Sequence, residues 1–265
     1  MNKIIFAIIT IITLVAMYLV LMPKEKVEDA GMKVKMGTEG AYPPFNFTDD
    51  KGQLQGFDVD IGNAICAAAK FECIWVVQDW DGMIPALLAK KYDTIIASMS
   101  ITKERMEKIG FSNKYYNTPA KFFAKKGSGY EVTKSGLKGK TIGVQRGTIH
   151  ENFLRDNFGD VVDIKSYATQ EEAYLDLASG RIDLGVADSV AVDDGFLKTP
   201  AGKGFAFVGP SFSDPKWFGD GAGVGLRKED TKLRDAINEA IKKIRADGTY
   251  KIINDKYFDF DVYGQ

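Results

Sequence analysis

The chain has 265 residues, with 35 Lys and Arg against 36 Asp and Glu, a net charge of −1. That balance offers no basic surface to gather nucleic acid or to hold an acidic membrane face. One histidine and two cysteines are too few for the usual zinc or iron–sulfur spacings, so no metal and no other cofactor is expected.

The N-terminus stands apart. After Met1-Asn2-Lys3 an apolar run fills residues 4–22 and stops at Pro23-Lys24-Glu25-Lys26. A basic start before a long apolar stretch is an export signal. At 1.5 Å per residue this run spans about 28 Å, close to the roughly 30 Å of a bilayer core. Residues 1–30 are therefore a cleaved signal peptide or an uncleaved inner-membrane anchor. No small-x-small cleavage site is clear, and no cysteine follows to take a lipid.

From residue 32 short strands alternate with amphipathic helices, the signature of an α/β fold. Strands are predicted at 34–37, 74–77, 94–97, 121–124, 141–144, 184–187 and 223–226. Phe57, Ile61, Ala64, Ile65 and Ala68 recur at helical spacing, and further helices are predicted at 83–90, 170–179 and 231–246. Thr169 and Glu172 form a capping box for helix 170–179, with Gly180 just past its end. Cys66 on the first helix and Cys73 at the next strand lie seven apart. A disulfide suits an exported chain; two unrelated buried thiols are the alternative. Residues 125–140, rich in Gly, Ser and Lys, and residues 198–213, with Pro200, Gly202, Gly204, Gly209 and Pro210, read as surface loops. They bracket a central block, which suggests one lobe interrupted by another.

In open α/β sheets ligands bind beyond the carboxyl ends of strands. Those ends carry a consistent polar set: Glu39 and Tyr42 after the first strand, Trp80 after the second, Ser98-Met99-Ser100 and then Arg105 after the third, Gln145 and Thr148 after the fifth, Asp188 after the sixth. Arg105 offers a planar fork for a carboxylate, or is a surface helix arginine. Ser98, Ser100 and Thr148 could equally cap helices. Gly147-Thr148 before a helix start could turn backbone N–H groups to an anion. Asp188 could hold an ammonium or cap a helix, and Glu39 could do likewise or face solvent. Tyr42 and Trp80 could sandwich a ligand side chain, or belong to core and rim. Asn46-Phe47-Thr48 matches a glycosylation sequon without context to support it.

These residues fall in motifs that resemble the periplasmic solute-binding proteins of polar amino acid ABC transporters. The match runs through Gly37-Thr38-Glu39-Gly40-Ala41-Tyr42-Pro43-Pro44-Phe45, Gly56-Phe57-Asp58-Val59-Asp60 and Ala97-Ser98-Met99-Ser100-Ile101-Thr102-Lys103-Glu104-Arg105. It continues through Gly139–Val144, Gly180-Arg181-Ile182-Asp183 and Gly225–Asp230, and ends in Ala246-Asp247-Gly248-Thr249-Tyr250 and Lys256–Gly264, which look most like the lysine/arginine/ornithine- and histidine-binding members. The resemblance implies a two-lobed α/β fold with mixed sheets flanked by helices and two hinge crossings. One lobe would hold 32–117 and 214–265, the other 118–213. It further implies that Arg105 pairs with the α-carboxylate, helped by Ser98, Ser100 and backbone near Thr148. Asp188 would hold the α-ammonium, Tyr42 and Trp80 would flank the side chain, and Glu39 would meet a distal cation. The cysteine pair would match a family disulfide.

The implied function is periplasmic capture, by a monomer, of arginine, lysine, ornithine or histidine for an ABC permease and its ATPase. Glu39 stands where relatives have aspartate, Ala97 where they have serine, and Gln145 and Ile149 where they have an apolar residue and a threonine. These departures keep opines open as ligands. A cyclic-amino-acid dehydratase on the same fold is the enzymatic alternative, but His150 is the only imidazole available for acid–base work. The reading is therefore of a binding protein and not an enzyme.

Overall fold

The computed structural model describes residues 31–264; the apolar run 4–22, predicted as signal peptide or anchor, lies outside the described residues. Two five-stranded sheets make two lobes. In the first, β1 (Lys33–Thr38) is followed by a small antiparallel sheet of β2 (Ala41–Tyr42), β3 (Asn46–Thr48) and β4 (Leu54–Gln55). Then come β5 (Glu72–Val77), β6 (Thr94–Ile95) and β7 (Gly110–Tyr116). The chain crosses to the second lobe for β8 (Ala120–Lys125), β9 (Thr141–Gln145), β10 (Asp163–Tyr167), β11 (Leu184–Asp188) and β12 (Phe205–Phe212), and returns for β13 (Ala222–Leu226). Strand orders are β5-β1-β6-β13-β7 and β10-β9-β11-β8-β12. β1 runs parallel to β5 and β6, and β9 parallel to β10 and β11, while β13 and β8 pair antiparallel with their neighbours.

Both sheets are covered on both faces, which is why their central strands read as unbroken apolar runs. Every residue of β11 and β13 is buried. The helix Phe57–Ala69 and the helix Thr231–Ala246 cover one face of the first sheet. Leu233, Ile237, Ala240, Ile241 and Ile244 recur at helical spacing and point into that core with Ile61 and Ile65. Each such fully buried aliphatic chain contributes about 1.5–3 kcal/mol. The other face is closed by Met83, Leu87 and Tyr92. In the second lobe Phe122, Ile142, Phe153 and Leu154 fill one side, and Phe123, Tyr174, Leu177 and Phe196 the other. Gly185 on β11 lies so close to Phe123 that a Cβ there would sit 2.2 Å from the ring.

The Thr169–Glu172 capping box is present at the start of Gln170–Ala178. Cys66 and Cys73 are joined in a disulfide that ties the helix end to β5. Two loop expectations need correction. Residues 198–213 contain β12, an edge strand whose Gly209 and Pro210 coincide with a register shift between Val208 and Phe212. Within 125–140, Leu137 is fully buried and Tyr130 and Val132 pack on the second lobe's core, so this segment is more than a surface excursion. The predicted helix 83–90 ends at Leu88, before Lys90 adopts a positive φ of 60°. Among the described residues no helix is long and apolar enough to cross a membrane.

Candidate functional site

The carboxyl ends of β1, β9 and β11, and the segments that follow β5 and β6, meet at a cleft between the two sheets. Glu39 follows β1 and is buried there, not solvent-facing. The turn beyond it is held by the Gly40 N–H, which donates to Asn46 Oδ1 at 2.9 Å. Asn46 is fully buried, so its sequon is no glycosylation site. Tyr42 on β2 donates to Asp188 Oδ2 at 3.2 Å across the cleft, and Thr118 donates to the other Asp188 oxygen. Asp188 starts the next helix, but its side chain makes no capping hydrogen bond. Trp80 lies in a 3-10 turn after β5 and donates from Nε1 to the Gly147 carbonyl at 3.2 Å.

Ser98 and Ser100 line the cleft beyond β6, whereas the Met99 side chain between them points the other way into the core. Thr102, not either serine, caps the short helix Lys103–Met106 that presents Arg105. Gln145 ends β9 and donates from Nε2 to Glu39 Oε1 at 2.6 Å. Thr148 both lines the cleft and caps the helix Ile149–Phe158. Gly147, at φ +69°, makes the sharp turn before it. Its N–H is already taken by Glu151 Oε2 at 2.7 Å, so it has no donor left for an anion. The structure thus brings nine of the ten expected residues together around one cavity and leaves Met99 in the core. Ala97, Ile149 and His150 complete the lining. The free volume is about 20 Å³, room for little more than one water.

Charge in this cleft is unbalanced. Arg105 is 8 % exposed, its Nη1 donates to the Ser100 carbonyl at 3.1 Å, and its Cζ stands 5.2 Å from the Trp80 ring centroid. Among the described residues no carboxylate lies within ion-pair distance of it. Burial pulls its guanidinium down to about 10. Arg227, equally buried, shows the contrast: Asp93, Asp230 and two carbonyls surround it, and its role is structural. Glu39 and Asp188 are the mirror case. Burial pushes Glu39 up to about 7 despite the Gln145 hydrogen bond, with Asp79 and Asp81 adding to it. Burial likewise pushes Asp188 up to about 6 against the hydrogen bonds of Thr118 and Tyr42. A buried charge without a partner is costly. One cation and two carboxylates held this way fit a zwitterion that carries an extra positive charge.

Two further residues, Asp58 and His150, belong to this site although their spacing does not mark them. Asp58 opens the helix Phe57–Ala69, is fully buried, and accepts from Tyr115 OH (2.8 Å), Asn46 Nδ2 (2.8 Å) and Ser98 Oγ (3.0 Å). It ties the turn that carries Glu39 to the segment that carries Ser98. Ser98, at φ 54°, holds a left-handed backbone rare for a non-glycine residue, and donating its hydroxyl to Asp58 leaves its lone pairs to accept. His150 lines the same cavity next to Arg105 and was weighed only as a general acid or base. For neither residue did spacing carry a signal: Asp58 acts through partners distant in the chain, and His150 sits inside a helix, past the strand end.

Residues 34–260 match the model for the bacterial extracellular solute-binding proteins, family 3. The chain is 51 % identical to the L-arginine-binding protein of Pseudomonas aeruginosa over 89 % of its own length and 91 % of that protein's. It is 48 % identical to the lysine/arginine/ornithine-binding periplasmic protein of Escherichia coli, covering 87 % and 89 %. The solved structure of an ancestral arginine-binding protein bound to arginine superposes with a TM-score of 0.80 at 36 % identity, covering 86 % of this chain and 99 % of that one. With a cleft charged to complement a small zwitterion and matches of this extent, the chain belongs to family 3 of the bacterial extracellular solute-binding proteins.

Proposed function

We propose that this protein captures a cationic amino acid outside the cytoplasm by closing its two lobes, and delivers it to the permease and ATPase of an ABC importer. The observation that carries this reading is the buried guanidinium of Arg105, without a carboxylate partner, facing two buried carboxylates without a cation. Arg105 takes the α-carboxylate with a bidentate fork, helped by the Thr148 region. Asp188 and Ser98 take the α-ammonium, and Glu39 with Gln145 takes the distal cation. Tyr42 and Trp80 flank the aliphatic stem, and Ser100 fixes Arg105 through its carbonyl. No step of this needs catalysis, and His150 is kept neutral and buried.

The lobes are residues 32–117 with 214–265, and 118–213. The protein works as a monomer, and residues 4–22 carry it out of the cytoplasm; the mass of the mature protein tells a cleaved leader from a retained inner-membrane tether. Isothermal titration tests the ligand assignment. Arginine, lysine, ornithine or histidine should bind at micromolar Kd or tighter, about −8 kcal/mol. Neutral amino acids should bind far more weakly. An opine that outcompetes all four would move the assignment to that class, and failure of every cationic ligand would overturn it.

A further inference from the structure

We propose, building on the functional reading above, that His150 is a ligand contact that donates from Nε2 to the carboxylate of the bound amino acid, alongside Arg105. His150 is the second residue of the helix Ile149–Phe158 and is 6 % exposed. It lines the cleft, yet its Nε2 is fully shielded from solvent and meets no hydrogen-bond partner. A buried polar atom without a partner loses the free energy of its hydration, and native proteins rarely leave one so unless something else meets it. Its surroundings decide what it can meet. Phe218 lies beside the ring at a centroid distance of 6.0 Å and gives it no polar partner. The charged group nearest in effect is the Arg105 guanidinium, which together with burial keeps the imidazole neutral.

A neutral imidazole next to a fixed cation will not receive an ammonium, because the cation repels it. It can present Nε2–H to the anion that Arg105 attracts. Arg105 and His150 then grip the carboxylate from two directions. The guanidinium comes from the first lobe and the imidazole from the second, so the carboxylate itself becomes a bridge that favours closure. The contact is also selective. A ligand without the carboxylate loses both partners and leaves two buried donors unmet.

This protein contains one histidine, so in tag-free protein its imidazole nitrogens give unambiguous NMR signals. Adding arginine should shift the Nε2 resonance while the ring stays neutral, and adding agmatine, which is arginine without its carboxylate, should not. In titration calorimetry His150→Leu should weaken arginine about 10- to 100-fold. It should leave agmatine unchanged, and His150→Gln, which keeps a donor, should recover most of the arginine affinity. If saturating arginine leaves both imidazole nitrogens in place, or His150→Leu binds arginine as the wild type does, the assignment is wrong while the functional reading stands. A wild-type protein that binds no cationic amino acid overturns the functional reading and this assignment together.

Discussion

The cleft works by holding charges in conflict with their surroundings, and that conflict can be measured at single residues. Arg105 has given up most of its hydration for one carbonyl and one aromatic face. Arg105→Ala should therefore cost about 2–5 kcal/mol of binding by leaving the ligand carboxylate buried and unpaired, with an unchanged far-UV spectrum. Arg105→Lys should fall between, since it keeps the charge but not the fork. Glu39 makes affinity depend on pH. Held at about 7, its carboxyl takes a proton as pH falls through neutrality and can then no longer balance a cation, whose own charge persists. Affinity for arginine should weaken from pH 8 to pH 6, by at most about tenfold per pH unit for one proton. Asp188, held at about 6, should add a second step lower down. Glu39→Gln should flatten the upper part of the profile in calorimetry.

Among the elements, what could be read in advance followed burial. β13, and β11 up to the Asp188 that ends it, are apolar because sheets covered on both faces require it. The helix Thr231–Ala246 was predicted to the residue, since its stripe of Leu233, Ile237, Ile241 and Ile244 has one periodicity and one face. β12 reads as a loop because Gly209 and Pro210 interrupt it, and an edge strand tolerates what a central strand cannot. β2, β3 and β4 have two or three residues each, too few for any period to register. The site divided in the same way: residues placed at strand ends were found, while Asp58 and His150, whose roles depend on partners from elsewhere, were not. The disulfide offers a test at this scale. Closing a loop of eight residues, it constrains the unfolded chain, so Cys66→Ala with Cys73→Ser should lower stability by about 2–3 kcal/mol. Arginine affinity should stay the same, since neither cysteine lines the cleft.

For the molecule as a whole, the same buried acids set how ligand-free stability responds to pH. Glu39, Asp58 and Asp188 have folded pKa values of about 7, 6 and 6 against ordinary values of 4.5, 3.8 and 3.8, so between pH 7 and 5 the folded state holds more protons than the unfolded one. By linkage, stability then rises as pH falls through that window. His150 opposes this: its folded pKa of about 3 lies below the ordinary 6.5, so the unfolded chain takes up its proton first and stability falls on acidification. Three groups outweigh one, and the ligand-free protein should melt higher at pH 5 than at pH 7. The extra stability conferred by arginine should shrink over the same range. Differential scanning calorimetry with and without arginine separates the two trends.

The contacts that bridge the two sides of the cleft make ligand exchange a question of timing. No amino acid can slip in or out past the Trp80–Gly147 hydrogen bond and the Arg146–Asp81 ion pair that span the two sides, so exchange must wait for them to part. Residence time is then governed by how often the liganded lobes part, and a ligand that bridges them more firmly leaves more slowly. Stopped-flow fluorescence of Trp80 should show the observed rate levelling off at high arginine instead of climbing without limit. Arg146→Ala should raise the plateau while leaving every residue that grips the ligand in place.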